Sequence, residues 1–412
     1  NPDRFLPTRW PAYYKKSKGC FIWDLAGKKY LDLCLMGVGT NILGYANPKI
    51  NRKVTEAIRN GNMSSFNCVE ELELSEKILE MNSWADKVKF AKTGGEANTI
   101  AIRIARSYTK KHNIVFCGYH GWHDWYLSAN FKKKNNLDQH LLKGLKPKGV
   151  HKNLRNTAKP FEYNNFSQLN KLIKNDKKIG IIIMEVMRNI KPNNNFLKKV
   201  RKLADRKKLI LIFDECTSGF RETYGGIYKK YNVIPDIVVY GKALGNGYPI
   251  TCIVGKKEIM NSAENSFISS TFWSDRVGYV AALETLKEMR RLKSWKKITE
   301  LGKYVKSQWL KYAKKHKLKI ILQGIDAMPS FKFINKDNEK FISLISQEMI
   351  KQGVLATNTI YLCINHNKSH LKKYFKILDK VFSIISKCSK NLEKIDELLD
   401  FPNPIKNFDR LN

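Results

Sequence analysis

The chain has 412 residues, 43% of them hydrophobic and 11% aromatic, with 75 Lys and Arg against 37 Asp and Glu for a formal net charge of +38. No run approaches the roughly 20 apolar residues that a membrane helix needs, and the opening NPDRFLPTRW lacks the charged-then-apolar pattern of a secretion signal, so the expectation is an intracellular, cytoplasmic protein with no membrane partner. The charge alone nominates a nucleic-acid binder, but its even spread over amphipathic segments such as LKKVRKLADRKK and LKKYFKILDK favours a solvated surface and no nucleic-acid partner.

The length predicts two or three lobes. Residues 1–45 carry a hairpin pattern, CFIWDLAGKKYLDL, turning at Ala26 and Gly27, and are expected to join a smaller lobe. Residues 46–290 are expected to form the large domain, in which short apolar runs alternate with amphipathic helical patterns. Strands of this kind, apolar throughout, imply an α/β domain with a parallel sheet covered on both faces. Residues 291–412 alternate long helices with short strands (KLKIILQG, SFKFIN, VLATN, YLCIN), the pattern of a separate α+β domain.

In a sheet of this kind ligands collect at the carboxyl ends of the strands, so the residues just past each apolar run are the candidates. AKTGGEAN, from Ala91, places Thr93, Gly94 and Gly95 between a strand and a helix, where glycines let the backbone approach an anion and the helix start offers unpaired N–H groups. FCGYHGWHD follows a strand with Tyr119, whose flat ring suits a flat ligand, and with His120. His120, His123 and Asp124 show no third ligand at metal spacing, so no metal is expected. The block NFKKKNN (130–136) reads as a solvated loop. Glu185 ends IGIIIMEV, and Arg188 beyond it is a candidate clamp for a carboxylate or phosphate. Asp214 ends LILIFDE, where a desolvated carboxylate needs a cationic partner or serves as a helix cap. Lys242 ends DIVVYGK and is followed by a turn built on Gly245 and Gly247. The bulky Trp122 and Trp273 are candidates for a roomy substrate pocket. Eight cysteines, none in a CxxC pair, predict buried thiols in a reducing compartment.

A sheltered strand-end lysine, a phosphate seat, a flat aromatic and an acidic partner together match what a Schiff base to pyridoxal phosphate requires. The sequence resembles the class III pyridoxal-phosphate aminotransferases, nearest the glutamate-1-semialdehyde aminomutase branch. The resemblance rests on FAKTGGEANTIAIRIARSYT, YHGWHD, MEV, FDECTSGFR, YGKALGNGYP and STFWSDRVGYVAALETL. It implies the aspartate-aminotransferase type of pyridoxal-phosphate fold, with the cofactor on Lys242, Asp214 against its ring nitrogen, Tyr119 stacked on it, and Glu185 at the site. It also implies a homodimer in which Thr271 reaches the phosphate of the other subunit. Val186 stands where the family usually has a proline after the strand-end glutamate. The chain departs from the aminomutase pattern in three places. Met36 and Gly37 stand where that enzyme has a tryptophan. SANFKKKNNLDQHLL replaces its glycine-serine gating loop. No acidic residue stands in LATNTIYLCIN. These departures favour a two-substrate transaminase over the aminomutase reaction, with an amino donor and, from the bulky aromatics, a carbonyl acceptor that is sugar-derived or elongated.

Overall fold

A computed structural model of the chain describes residues 9–131, 136–138, 140, 144–193 and 195–400. The lysine block expected as a solvated loop lies in part, at 132–135, outside the described residues. The chain divides into two compact units, Lys49–Glu288 and a second made of the residues up to Pro48 together with those from Met289 onward.

The second unit begins with an antiparallel meander of β1 (Tyr14–Lys18), β2 (Phe21–Asp24) and β3 (Lys29–Asp32). The hairpin between β2 and β3 turns at Gly27, whose φ of +83° costs a glycine little, and the Asp24 carboxylate accepts the Lys28 amide at 2.9 Å. At the end of β3, Asp32 is buried and caps the next turn. Its carboxylate accepts the amides of Cys34, Leu35 and Met36 at 2.9, 3.0 and 3.0 Å and the Tyr45 hydroxyl at 2.6 Å. These bonds hold Met36 to Gly39 in an unusual run of left-handed backbone, with φ of 45°, 65°, 57° and 79°, a conformation that is strained at the β-branched Val38. Helices Ser294–Lys315, Asn338–Lys351 and Lys368–Ser389 supply the core of this unit, in which Trp309, Phe331, Tyr374 and Phe382 are all buried. One expectation fails here. VLATN contributes the two-residue strand Val354–Leu355, but YLCIN forms none; the Tyr361 and Ile364 amides instead donate to the separate carbonyls of Leu33 and Ile42.

The unit Lys49–Glu288 is built on a seven-stranded sheet of β4 (Lys87–Ala91), β5 (Asn113–Cys117), β6 (Ala158–Pro160), β7 (Ile179–Met184), β8 (Ile210–Asp214), β9 (Ile237–Tyr240) and β10 (Thr251–Gly255), in the order β4-β10-β9-β8-β7-β5-β6. β7, β8 and β9 are buried at every residue, which explains their unbroken apolar runs. β10 runs antiparallel to both of its neighbours, whereas the pairs from β9 to β6 are parallel. The sheet is thus mostly parallel, with only β10 reversed; its sequence does not mark the reversal, because a strand covered on both faces looks equally apolar in either direction. Helix Gly94–Thr109 lies on the sheet through Ile100, Ala101, Ile104 and Ala105. Among the described residues no helix is long and apolar enough to cross a membrane.

Candidate active site

Six strands running one way bring Ala91, Tyr240, Asp214, Met184, Cys117 and Pro160 to one rim of the sheet. The sequence candidates Thr93, Tyr119, Glu185, Asp214 and Lys242 stand on or just past that rim.

Lys242 takes a left-handed φ of 43°, rare for a residue with a side chain. Asn246 and Gly247 are also left-handed, at 44° and 105°, and carry the reversal that had been assigned in part to Gly245. Gly245 is needed for closeness instead, since a Cβ there would lie 2.9 Å from Ile250 Cγ2. The Lys242 side chain keeps some exposed surface, and its Nζ donates to Thr217 Oγ1 at 2.8 Å. Burial, helped by the Arg188 and Arg221 guanidinium groups, lowers its pKa to about 8 against the opposing pull of Cys216 and Glu185. About a tenth of the amine is therefore uncharged at pH 7, far more than at an ordinary lysine.

Asp214 is buried at 3% exposure. Its Oδ2 accepts from Asn98 Nδ2 at 2.7 Å and meets His120 Nδ1 at 2.8 Å, while Oδ1 accepts the Cys216 amide at 3.0 Å. Burial pushes the carboxyl pKa up, but the hydrogen bond and charge of His120, with the Cys216 amide and Asn98, outweigh it and hold the group below its ordinary range. The other His120 nitrogen, Nε2, faces the Cys117 carbonyl at 3.2 Å. Both ring nitrogens thus face acceptors.

Glu185, also buried, accepts the Tyr119 amide at 3.1 Å and pairs with Arg188 at 3.3 Å. Gly118 before it has φ of 115°, and a Cβ there would lie 2.7 Å from Glu185 Oε2, so glycine is required. Arg188 Nη2 donates to Thr217 Oγ1 at 3.0 Å. A cavity of about 440 Å³ opens at Glu185 and Arg188, with Gly118, Glu162, Tyr163 and Asn189 also in its walls.

Thr93 is the N-cap of helix Gly94–Thr109 in a capping box with Glu96, whose carboxylate accepts the Thr93 amide. The Thr93 hydroxyl accepts the Glu96 amide at 3.4 Å in that cap and keeps its O–H as a donor. Gly94 and Gly95 fall in the first turn, where amides lack intrahelical acceptors. The loops close tightly around them: a Cβ on Gly95 would lie 3.0 Å from His123 Cδ2, and one on Gly121 would lie 2.8 Å from Gly95 Cα. Trp122 is 70% exposed. Trp273 donates its indole N–H to Glu96 at 2.8 Å, in the first turn of helix Gly94–Thr109. Thr271 is exposed. Sequence reasoning missed Asn98 and Thr217. Both stand inside quoted motifs and were passed over there, Asn98 at the end of AKTGGEAN and Thr217 in FDECTSGFR; the partner of Asn98 lies 116 residues away.

A helix start with free amides, a glycine-lined approach, a buried carboxylate in need of a cation, and a lysine with a lowered pKa are the donor set that pyridoxal phosphate requires, and the residues fit that group. Among the described residues no group of three or more His, Cys, Asp or Glu is arranged to hold a metal. The fold and the site together define a pyridoxal-phosphate transferase. Residues 7–382 match the family model for aminotransferase class III, and the chain belongs to that family; it is a pyridoxal-phosphate-dependent aminotransferase. It is 31% identical to a 3-aminobutyryl-CoA aminotransferase of Cloacimonas acidaminovorans, over 90% of this chain and 88% of the relative. It is 35% identical to a glutamate-1-semialdehyde 2,1-aminomutase of Nitrosopumilus maritimus, over 71% and 70%. In fold it is similar to the pyridoxal-phosphate form of the FumI protein of Sphingopyxis sp. MTA144, with a TM-score of 0.85, 23% identity, and coverage of 96% and 94%.

Proposed function

We propose that the enzyme runs a two-substrate transamination in which Lys242 is the amine and the base, Asp214 the ring-nitrogen partner, and Arg188 the clamp for a carboxylate on the amino donor. The observation that carries this reading is the Lys242 amine at the rim, with a pKa of about 8, on a single hydroxyl shared with a guanidinium. Bound at this rim, pyridoxal phosphate supplies an aldehyde and a protonated ring that withdraws electrons from the donor's α-carbon. Asp214 stays ionised and holds the proton at the ring nitrogen, with His120 and Asn98 fixing its orientation. Lys242 Nζ, when uncharged, would take the donor's α-proton and hold it for return. Gly94 and Gly95 bind the phosphate through their amides, and Tyr119 covers the ring.

A cavity of about 440 Å³ falls within the range of small-molecule sites and supports an acceptor with an arm reaching past Glu185, of the elongated or sugar-derived kind. The departures from the aminomutase pattern at Met36 and Gly37 support transamination over the mutase reaction. We also place Thr271 in the phosphate site of a second subunit in a twofold dimer; its exposure beside Phe267 and Phe272, 88% and 67% exposed, supports that interface. Eight unbridged cysteines support a reducing compartment, the cytoplasm.

The test is a half-reaction. The loaded enzyme is mixed with one amino donor at a time and the released product is weighed against enzyme. One equivalent of a free oxo product, with the cofactor left in its amine form until a carbonyl acceptor is added, is the expected result. Internal conversion of glutamate 1-semialdehyde with no free oxo product would assign the mutase reaction instead.

A further inference from the structure

The segment SANFKKKNNLDQHLL, where the chain departs from the aminomutase pattern, supplies two residues to the cavity beside Glu185: Asp138 and His140 stand in its wall, together with Glu162. The His140 ring is 8% exposed, and its Nδ1 accepts the Gly118 amide at 3.1 Å. Burial, aided by the nearby His120, lowers its pKa to about 4, so the ring is neutral and carries its proton on Nε2. That N–H has no hydrogen-bond partner among the described residues. A buried donor left unmet is costly, and the cavity is where its acceptor can come from. Asp138 accepts the Gly144 amide at 3.0 Å and Glu162 accepts from the Asn165 side chain at 3.3 Å. Among the described residues neither carboxylate forms an ion pair, whereas Glu185 is answered by Arg188.

We infer that His140, Asp138 and Glu162 form the subsite for the arm of the carbonyl acceptor, and that this arm is uncharged and carries hydroxyl groups on neighbouring carbons, as an open-chain sugar does. The inference rests on the reading of this rim as a two-substrate transamination site and narrows the acceptor of that reading. The donors and acceptors in the wall discriminate among four kinds of arm. An apolar arm leaves the His140 N–H unmet and strips water from two carboxylates. A carboxylate or phosphate suits His140 but brings like charge towards Asp138 and Glu162. An ammonium group suits the carboxylates but is a donor only, and turns a donor towards the His140 N–H. Hydroxyls both accept and donate, so one of them accepts from Nε2 while its neighbours donate to Asp138 and Glu162.

The test loads the protein with the amine form of the cofactor and follows its conversion to the aldehyde form by visible absorbance. One aldehyde is added at a time, at a known free-aldehyde concentration: D-erythrose, butanal, 4-oxobutanoate or 4-trimethylammoniobutanal, which share a chain length and differ in the arm. D-erythrose should react at least about tenfold faster than each of the others, because a site that pairs hydroxyls rejects arms lacking them. His140→Asn keeps an oxygen for the Gly118 amide and removes the Nε2 donor, so it should lower the erythrose-to-butanal rate ratio by about tenfold. Glu162→Gln, at an exposed position, should raise the rate with 4-oxobutanoate relative to erythrose. Preference for any other arm, or a ratio unchanged in either variant, would overturn the inference. A 2-oxobutanoate control separates the two levels of the argument: its conversion alongside none of the four aldehydes defeats the hydroxylated arm alone, whereas conversion of no carbonyl compound defeats the transamination reading as well.

Discussion

Asp32 and Asp214 both end a strand and both are buried, at 2% and 3% exposure, yet their partners differ. Asp32 is met by three backbone amides and one tyrosine hydroxyl, all neutral donors, and it stabilises a left-handed turn. Asp214 is met by one amide, one asparagine and a histidine, and it shares its sheet rim with Lys242. Burial and a strand-end position therefore do not distinguish the two carboxylates; the kind of partner does, since only Asp214 meets an imidazole.

That contrast is broken most decisively at the lysine. Lys242→Ala should abolish turnover while leaving the melting temperature near that of the cofactor-free wild type, as read by steady-state assay and calorimetry. Next come the two aspartates. Asp214→Asn should keep the fold and most of the cofactor but lose nearly all turnover, because an amide cannot hold the ring proton; turnover at the wild-type rate would reduce Asp214 to a cap. Asp32→Asn should show the opposite pattern. One carboxylate oxygen with its donors is lost, at a cost of roughly 2 to 4 kcal/mol, which calorimetry should record as a lowered melting temperature in a protein whose rim chemistry persists.

Thr271→Ala should have a smaller effect. It removes one hydroxyl from a phosphate oxygen, worth roughly 1.5 to 3 kcal/mol, so cofactor affinity should fall by about one to two powers of ten. In a heterodimer of Lys242→Ala and Thr271→Ala subunits, the remaining lysine site should recover wild-type affinity; a site that stays weak would put Thr271 in its own subunit. The smallest effect is on pH. Because the Lys242 pKa is lowered to about 8 from its ordinary value of 10.5, the folded state disfavours the charged form, so its contribution to stability rises with pH between those values. In cofactor-free protein the reactivity of Lys242 towards an amine-directed reagent should have its midpoint near pH 8, whereas a midpoint at the ordinary lysine value would remove the effect assigned to burial and Arg188.

Much of the rim was legible because its signals are local. Lys242, Asp214 and Glu185 each follow an unbroken apolar run, and Gly94 and Gly95 punctuate a strand-to-helix step. Asn98 was not legible, because its role exists only once a helix start is laid beside β8. The reversal of β10 was hidden for a related reason, since apolar composition records burial and not direction. An aromatic near a site motif gives no hint of where its N–H points, and in the folded chain that of Trp273 points at Glu96.

The central claim is that Lys242 is the residue that carries the cofactor. Borohydride reduction of the purified, loaded enzyme followed by peptide mass mapping tests it most directly. The account predicts a single pyridoxyl label on Lys242. A label on Lys92, whose pKa burial likewise lowers to about 8, or on Lys256, with Lys242 unmodified, would contradict it.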